Sequence, residues 1–175
     1  SGVLFGLMRL PIVRLSLLLV SFAIATSAGC GRPPGLFSEP NARAHIGMLA
    51  GTIGSRAVGT PANATARTYI TDQLRLFGFE VRVQEADARR AAIGLTARIS
   101  NSIAVRPGKR AEAMAIVSHY DSVPEGPGAA DDAFGVGLAR GGTRDLNARS
   151  DRNWTLMILI TDGEEAGLMG GAALV

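Results

Sequence analysis

Cysteine is nearly absent from this sequence: Cys30 is the only one in 175 residues, which rules out a disulfide framework within the chain. Histidine is almost as scarce, with His45 and His119 the only two. Aromatic residues make up 5% of the composition and do not alternate with the basic ones. The basic residues are nearly all arginine and lie scattered, with only Arg89-Arg90 and Lys109-Arg110 adjacent. A nucleic-acid surface calls for a concentrated basic stripe. The net charge of +3 therefore reads as solvated surface charge, and no nucleic-acid partner is expected. No internal repeat is evident.

What the chain does have, at its start, is a long apolar run. From Leu10 to Ala28 it is almost wholly apolar, with Arg9 and Arg14 flanking or interrupting the beginning. A run of about twenty apolar residues spans a bilayer, and a shorter one behind basic residues suits a secretory signal. Residues 1–29 are thus expected to be a signal anchor or a signal peptide, an apolar helix in either case. The positive charge on the amino side places the downstream domain outside the cytosol, membrane-anchored or secreted. Ser27-Ala28-Gly29-Cys30 resembles a lipoprotein cleavage site, although Ser27 stands where leucine is usual. Residues 30–40 read as a Pro/Gly linker.

Beyond the linker, helical and extended patterns mix. Asn41 is expected to cap a helix through about Ile53, with Ile46, Leu49 and Ile53 on one face. Pro61 suits the first turn of a second helix, which places Ala66, Tyr69, Ile70, Leu74 and Phe77 on one side and ends at Gly78. Phe79 to Ala86 alternates as a half-buried strand does, and Gly94 to Val105 comes next as another. Ala113 to Ser118 and Trp154 to Thr161 are continuous apolar runs, expected to be strands covered on both faces. Gly163 to Val175 reads as the start of a helix. The order predicts a three-layer αβα domain whose mixed sheet is parallel at its centre.

The chemistry gathers just past the ends of those two apolar runs. His119-Tyr120-Asp121 ends the first, Asp131-Asp132 follows in a Gly/Pro-rich loop, and Glu164-Glu165 ends the second. In α/β folds, sites form outside the carboxyl ends of the strands. Imidazole and carboxylates suit zinc, and a catalytic site leaves one position open for water. His119 is the natural ligand, with Asp121 placed to hold its other ring nitrogen. Asp131 follows the small residues Gly128-Ala129-Ala130, which let a carboxylate approach a metal. Of the adjacent Glu164 and Glu165, one can ligate while the other faces water as general base. Taken singly, each group has a plainer reading: surface chemistry for the His-x-Asp triplet, a helix cap for Asp131-Asp132, and a helix start for the Glu-Glu pair. Their order and shared position raise the signal.

Three segments in that order make a specific likeness. His119-Tyr120-Asp121-Ser122-Val123, then Pro127 through Gly135, then Thr161 through Gly170 resemble the co-catalytic di-zinc exopeptidases. That group includes leucyl-type aminopeptidases, glutamate carboxypeptidase and endoplasmic-reticulum metallopeptidases. The Gly54–Thr60 loop and the helix ending in Leu76-Phe77-Gly78-Phe79 are similar to its amino-terminal region, so the likeness covers residues 41–175. The resemblance implies a peptide substrate and two zinc ions. His119 would ligate one zinc, Asp131 would bridge both, and Glu165 would ligate the second. Glu164 would be the general base, with Asp121 orienting His119 and Asp132 in a supporting place behind the ligands.

The sequence departs from that pattern at three points. The family carries a further carboxylate and a further histidine downstream of the Glu-Glu motif, so residues 41–175 are expected to form an incomplete domain with weak metal binding. Phe134 stands where serine is usual. Gly141-Gly142 interrupts a helix that is long in the family, and at about 1 kcal/mol per glycine a break between Arg140 and Thr143 is expected. His45 is expected at the surface or capping its helix, away from the site. Two functional readings result: a membrane-tethered zinc exopeptidase, in the first instance an aminopeptidase, or a non-catalytic relative that binds metal weakly or not at all. The Gly135–Gly141 segment superficially resembles a dinucleotide-binding turn. That turn needs a strand immediately before it, and here acids precede it, which rejects the reading.

Overall fold

The computed structural model describes residues 38–110, 112–137 and 153–174. The apolar amino-terminal helix, most of the linker and the helix break between Arg140 and Thr143 lie outside the described residues. Among the described residues, no helix is long and apolar enough to cross a membrane.

The first helix, α1, spans Glu39–Ile46, and π-helical turns carry it on through Gly47–Ile53. It starts earlier than expected: Ser38 occupies the cap position in place of Asn41, and Pro40 stands in the first turn, where its missing N–H costs nothing. Leu49 is fully buried, and Ile46 and Ile53 pack against the same core, as their spacing predicts. Helix α2, Pro61–Leu76, is capped by Thr60, whose hydroxyl accepts from the Asn63 amide. Its inward stripe is Asn63, Ala66, Ile70, Thr71 and Leu74, a helical spacing with a polar residue at its head.

Four described strands form one mixed sheet in the order β1-β2-β4-β3. Strand β1 is Glu80–Arg90 and β2 is Leu95–Arg106, an antiparallel pair in which β1 runs on past the Ala86 end of its alternating pattern. Strand β4, Thr155–Thr161, runs antiparallel to β2 and parallel to β3, Ala113–His119. The parallel pairing, β3 with β4, lies at one side of the described sheet, and the antiparallel pairings at the other. Successive side chains alternate between faces. Leu156, Ile158 and Ile160 of β4 and Ala104 of β2 meet the helices, in one core with Ile70, Leu74 and Leu49. On the opposite face Asn101 donates to the Gly170 carbonyl, which docks the short helix α3, Met169–Ala172, against β2. A Cβ on Gly170 would lie 2.2 Å from the Asp162 carbonyl oxygen, so this contact requires glycine.

Two further expectations are corrected. Strand β3 is not covered on both faces: Met114 and Val117 are 56% and 63% exposed. It has β4 on one side and no described strand on the other, so its short apolar run lies at an edge of the described sheet. The segment after Gly163 is not a helix from its start; turns occupy residues 164–168, and Leu168 is left-handed with φ 61° before α3 begins.

Candidate metal centre

The ends of β3 and β4 lie side by side, with His119 in register with Thr161. This parallel pairing brings the histidine and the Glu-Glu turn together although more than forty residues separate them. His119 is 8% exposed, and its Nε2 lies 2.9 Å from Asp131 Oδ1 and 3.8 Å from Glu164 Oε2. Its Nδ1 lies 3.3 Å from Asp121 Oδ1, within ion-pair reach but without the alignment of a hydrogen bond, and has no other partner among the described residues. Burial disfavours the charged ring, but Asp121, Asp131 and Glu164 outweigh it, and the pKa is pushed up to about 9.

Asp121 is fully buried and has a second task. Its Oδ1 accepts from the Glu164 amide and its Oδ2 from the Glu165 amide, each at 3.1 Å. One carboxylate thus holds the Glu-Glu turn against the end of β3. Asp132 fastens the neighbouring loop: Oδ2 accepts from Ser118 Oγ at 2.6 Å, and Oδ1 accepts from the Gly135 amide at 2.7 Å, at the head of the helical turn over residues 134–137. Asp131 itself stands out from the loop with its side chain 76% exposed, and the Asp131-Asp132 peptide bond is cis. Gly128 makes room for this loop. Its φ is +54°, and a Cβ there would meet the Asp131 carbonyl oxygen at 2.2 Å. Glu165 titrates higher than an ordinary glutamate through burial and then the charge of Asp131, with Glu164 and Asp121 adding to it.

The donor types fit zinc: an imidazole nitrogen facing carboxylate oxygens, with like-charged carboxylates that a cation would relieve and a buried ring nitrogen backed by an aspartate. The geometry is partial. Among the described residues, no group of three His, Cys, Asp or Glu side chains converges to hold an ion. His119 and Asp131 are brought together, Glu164 stands beside them, and Glu165 is linked to them by charge.

Two buried polar residues, Arg56 and Asp162, are not evident from sequence patterns. Arg56 is completely buried and donates to the carbonyls of Tyr120 at 2.5 Å, of Gly128 at 3.1 Å and, more closely, of Pro127. It thereby ties the Gly54–Thr60 loop to both ends of the loop that carries Asp131. Burial lowers its pKa, against the pull of Asp121 and Asp132. Asp162, 1% exposed, accepts from Asn63 Nδ2 at 2.8 Å and from the Ser100 amide at 3.0 Å, and burial raises its pKa. Asn63 carries a signal, as the one amide in an apolar stripe; a buried polar residue needs a partner. His45 is neither at the surface nor a cap. It is half-buried, and its Nδ1 shares a hydrogen bond with the Tyr69 hydroxyl of α2.

Fold and motif order together define a zinc-exopeptidase-like α/β domain. Residues 101–175, which hold all three motifs, match Peptidase family M28, and the resemblance to zinc exopeptidases stands. The solved structures similar to this chain include a glutaminyl cyclase from Porphyromonas gingivalis, at 26% identity and a TM-score of 0.67 over 72% of this chain and 45% of that one. A Zn-dependent exopeptidase from Parabacteroides distasonis shares the fold at 22% identity and a TM-score of 0.67, covering 75% of this chain and 48% of its own. A leucine aminopeptidase precursor from Bacteroides thetaiotaomicron does so at 22% and 0.66, covering 75% and 49%. The chain thus spans about half the length of these structures. No curated protein matches it in sequence.

Proposed function

We propose that this domain is part of a zinc-dependent exopeptidase, and specifically an aminopeptidase. The observation that carries the reading is the approach of His119 Nε2 to Asp131 and Glu164 at the paired ends of β3 and β4. His119, Asp131 and Glu165 would hold zinc, two ions in the complete site. Bound zinc would supply Lewis-acid polarisation of the scissile carbonyl and a lowered pKa for the attacking water. Glu164, with its side chain 37% exposed, is open to that water and is free of the hydrogen bonds that engage Asp121 and Asp132. It takes a proton from the water as oxygen bonds to the carbonyl carbon. It returns that proton to the amine as the C–N bond breaks. Asp121 positions both the ring of His119 and the backbone of Glu164.

Zinc stoichiometry measured beside a peptidase assay, on the complete protein and on its Glu164→Gln variant, tests this. Two bound ions with turnover that falls by roughly 10²- to 10⁴-fold in the variant support it. Metal binding with no turnover in either protein favours a non-catalytic relative. A second reading, cyclisation of a glutaminyl residue, draws support from the 26% identity to the Porphyromonas gingivalis enzyme. Ammonia release from an amino-terminal glutaminyl peptide without chain cleavage would select it. The apolar run at the amino terminus supports a secreted or membrane-tethered domain on the non-cytosolic side, which fractionation with protease protection checks.

A further inference from the structure

Glu164 and Glu165 sit in a loop whose two ends meet. Asp162 follows β4 and Gly170 stands in α3, and a Cβ on Gly170 would lie 2.2 Å from the Asp162 carbonyl oxygen and 2.8 Å from its nitrogen. Inside the loop the Met169 amide donates to the Gly163 carbonyl at 2.9 Å, and the Gly167 and Leu168 amides both donate to the Glu164 carbonyl at 2.8 Å. A compact loop of this kind keeps its shape through its own bonds and through whatever closes its neck.

One side chain closes this neck. Asn101 of β2, 1% exposed, accepts from the Asp162 amide on Oδ1 at 3.0 Å and donates through Nδ2 to the Gly170 carbonyl at 2.8 Å. The same Nδ2 also donates to Gln84 Oε1 of β1 at 3.2 Å, and Gln84 donates in turn to the Ala173 carbonyl at 2.9 Å. Both polar atoms of the Asn101 carboxamide are therefore used, in one orientation. A carboxylate could not donate to Gly170, and a shorter side chain could not reach both ends. The clamp also works against backbone strain. Gly163, Gly167 and Leu168 have φ of 65°, 99° and 61°, and a leucine keeps such a conformation only where its surroundings over-determine it. Asp121 grips the loop at its middle, through the Glu164 and Glu165 amides; Asn101 grips it at both ends.

We propose that Asn101 is a positioning residue for the metal centre: by closing the loop on itself, it sets where the Glu164 and Glu165 carboxylates stand. It acts through the backbone of Asp162 and Gly170. The functional consequence rests on the zinc-peptidase reading, whereas the clamp itself does not. Groups that orient metal ligands from behind are worth roughly 10- to 100-fold in metal affinity or activity.

The test uses the complete protein, with zinc affinity measured by competition against a chromophoric chelator and peptide hydrolysis measured at saturating zinc. Asn101→Asp keeps the acceptor for the Asp162 amide and loses the donor to Gly170, which opens one end of the neck. Zinc binding weaker by roughly tenfold or more is expected, with kcat lowered by about as much and KM little changed. Asn101→Ser, uncharged and too short for both ends, should behave alike, so a fold lost to the buried charge of the first variant does not decide the result. Ile103→Val, two residues along β2, removes core packing without touching the loop and should leave zinc affinity and kcat unchanged. Asn101 variants that match the parent in both zinc affinity and kcat overturn the proposal and leave the peptidase reading intact. An equal loss in Ile103→Val, or loss of the fold in both Asn101 variants by circular dichroism, also overturns it. Weaker zinc binding confined to the Asn101 variants, with no hydrolysis by any of the proteins, sustains the clamp and refutes the peptidase reading.

Discussion

Arg56 offers the sharpest test of how the site is built. Its guanidinium donates to the carbonyls of Tyr120, Pro127 and Gly128, with a longer contact at 3.4 Å to that of Gly54. Arg56→Met keeps much of the apolar stem and removes every donor of the head group. Each buried acceptor left unpaired costs about 1–3 kcal/mol. The long Gly54 contact contributes least, and water entering the vacated space recovers part of the rest. The lost positive charge also removes an attraction on Asp121 and Asp132, a smaller contribution because Arg56 makes no ion pair with either. The expected destabilisation is therefore about 3–5 kcal/mol, a large part of the 5–15 kcal/mol typical of a domain. Urea unfolding followed by circular dichroism measures it, with the slope checked for constancy. Arg56→Lys keeps the charge but loses the fork that reaches several carbonyls at once, and should recover less than half of the loss. A loss below about 1 kcal/mol for Arg56→Met would refute the argument, because no network holding the Asp131 loop could then depend on this side chain.

Other consequences are open to measurement. Gly128→Ala places a Cβ 2.2 Å from the Asp131 carbonyl oxygen at a φ of +54°; a destabilisation of about 1–3 kcal/mol is expected by thermal denaturation, with weaker zinc binding than the parent chain. In the metal-free chain His119 has its pKa raised to about 9. Its contribution to stability, of order 3 kcal/mol, is fully present below the unfolded value near pH 6.5 and is lost as pH rises through 9. Denaturant midpoints at pH 6 and pH 10 should show this fall, and His119→Gln should flatten it. Asp162→Ala leaves the Ser100 N–H and one of the two Asn63 side-chain N–H groups unpaired in the core, the other still donating to the Arg56 carbonyl, at an expected cost of about 2–4 kcal/mol in the same unfolding assay.

Helix α2 is legible in the sequence because its apolar spacing, Pro61 in the first turn and Gly78 past its end all agree. The motif residues are legible because the apolar runs that form β3 and β4 mark where strands stop. What stays hidden is what depends on pairing partners. An apolar run such as Ala113–His119 has the same composition at a sheet edge as in its centre, so its exposure depends on strand order and not on its own residues. The early start of α1 comes from Pro40, which tolerates the first helical turn better than Asn41 needs to cap it. Arg56 is hidden for another reason. A lone arginine in a turn-rich loop reads as solvated charge, and the carbonyls that bury it come from residues sixty and more positions away. The roles of Asp121 and Asp132 are half visible: their proximity to the ligands can be read, while their bonds to the Glu164, Glu165 and Gly135 amides require the fold.

The carboxylate of Asp121 meets the ring of His119 on one side and two consecutive backbone amides on the other. A group with three neighbours and only two oxygens behaves as a pivot. The imidazole cannot tilt without loading the turn that carries both glutamates, and that turn cannot swing without unseating the imidazole. Metal affinity, set by the histidine, and proton transfer, set by the glutamate, are therefore not separately adjustable by changes at this point. Substitutions at His119 and Glu164 should depart from additivity in a double-mutant cycle, and that departure should vanish in an Asp121→Ala background.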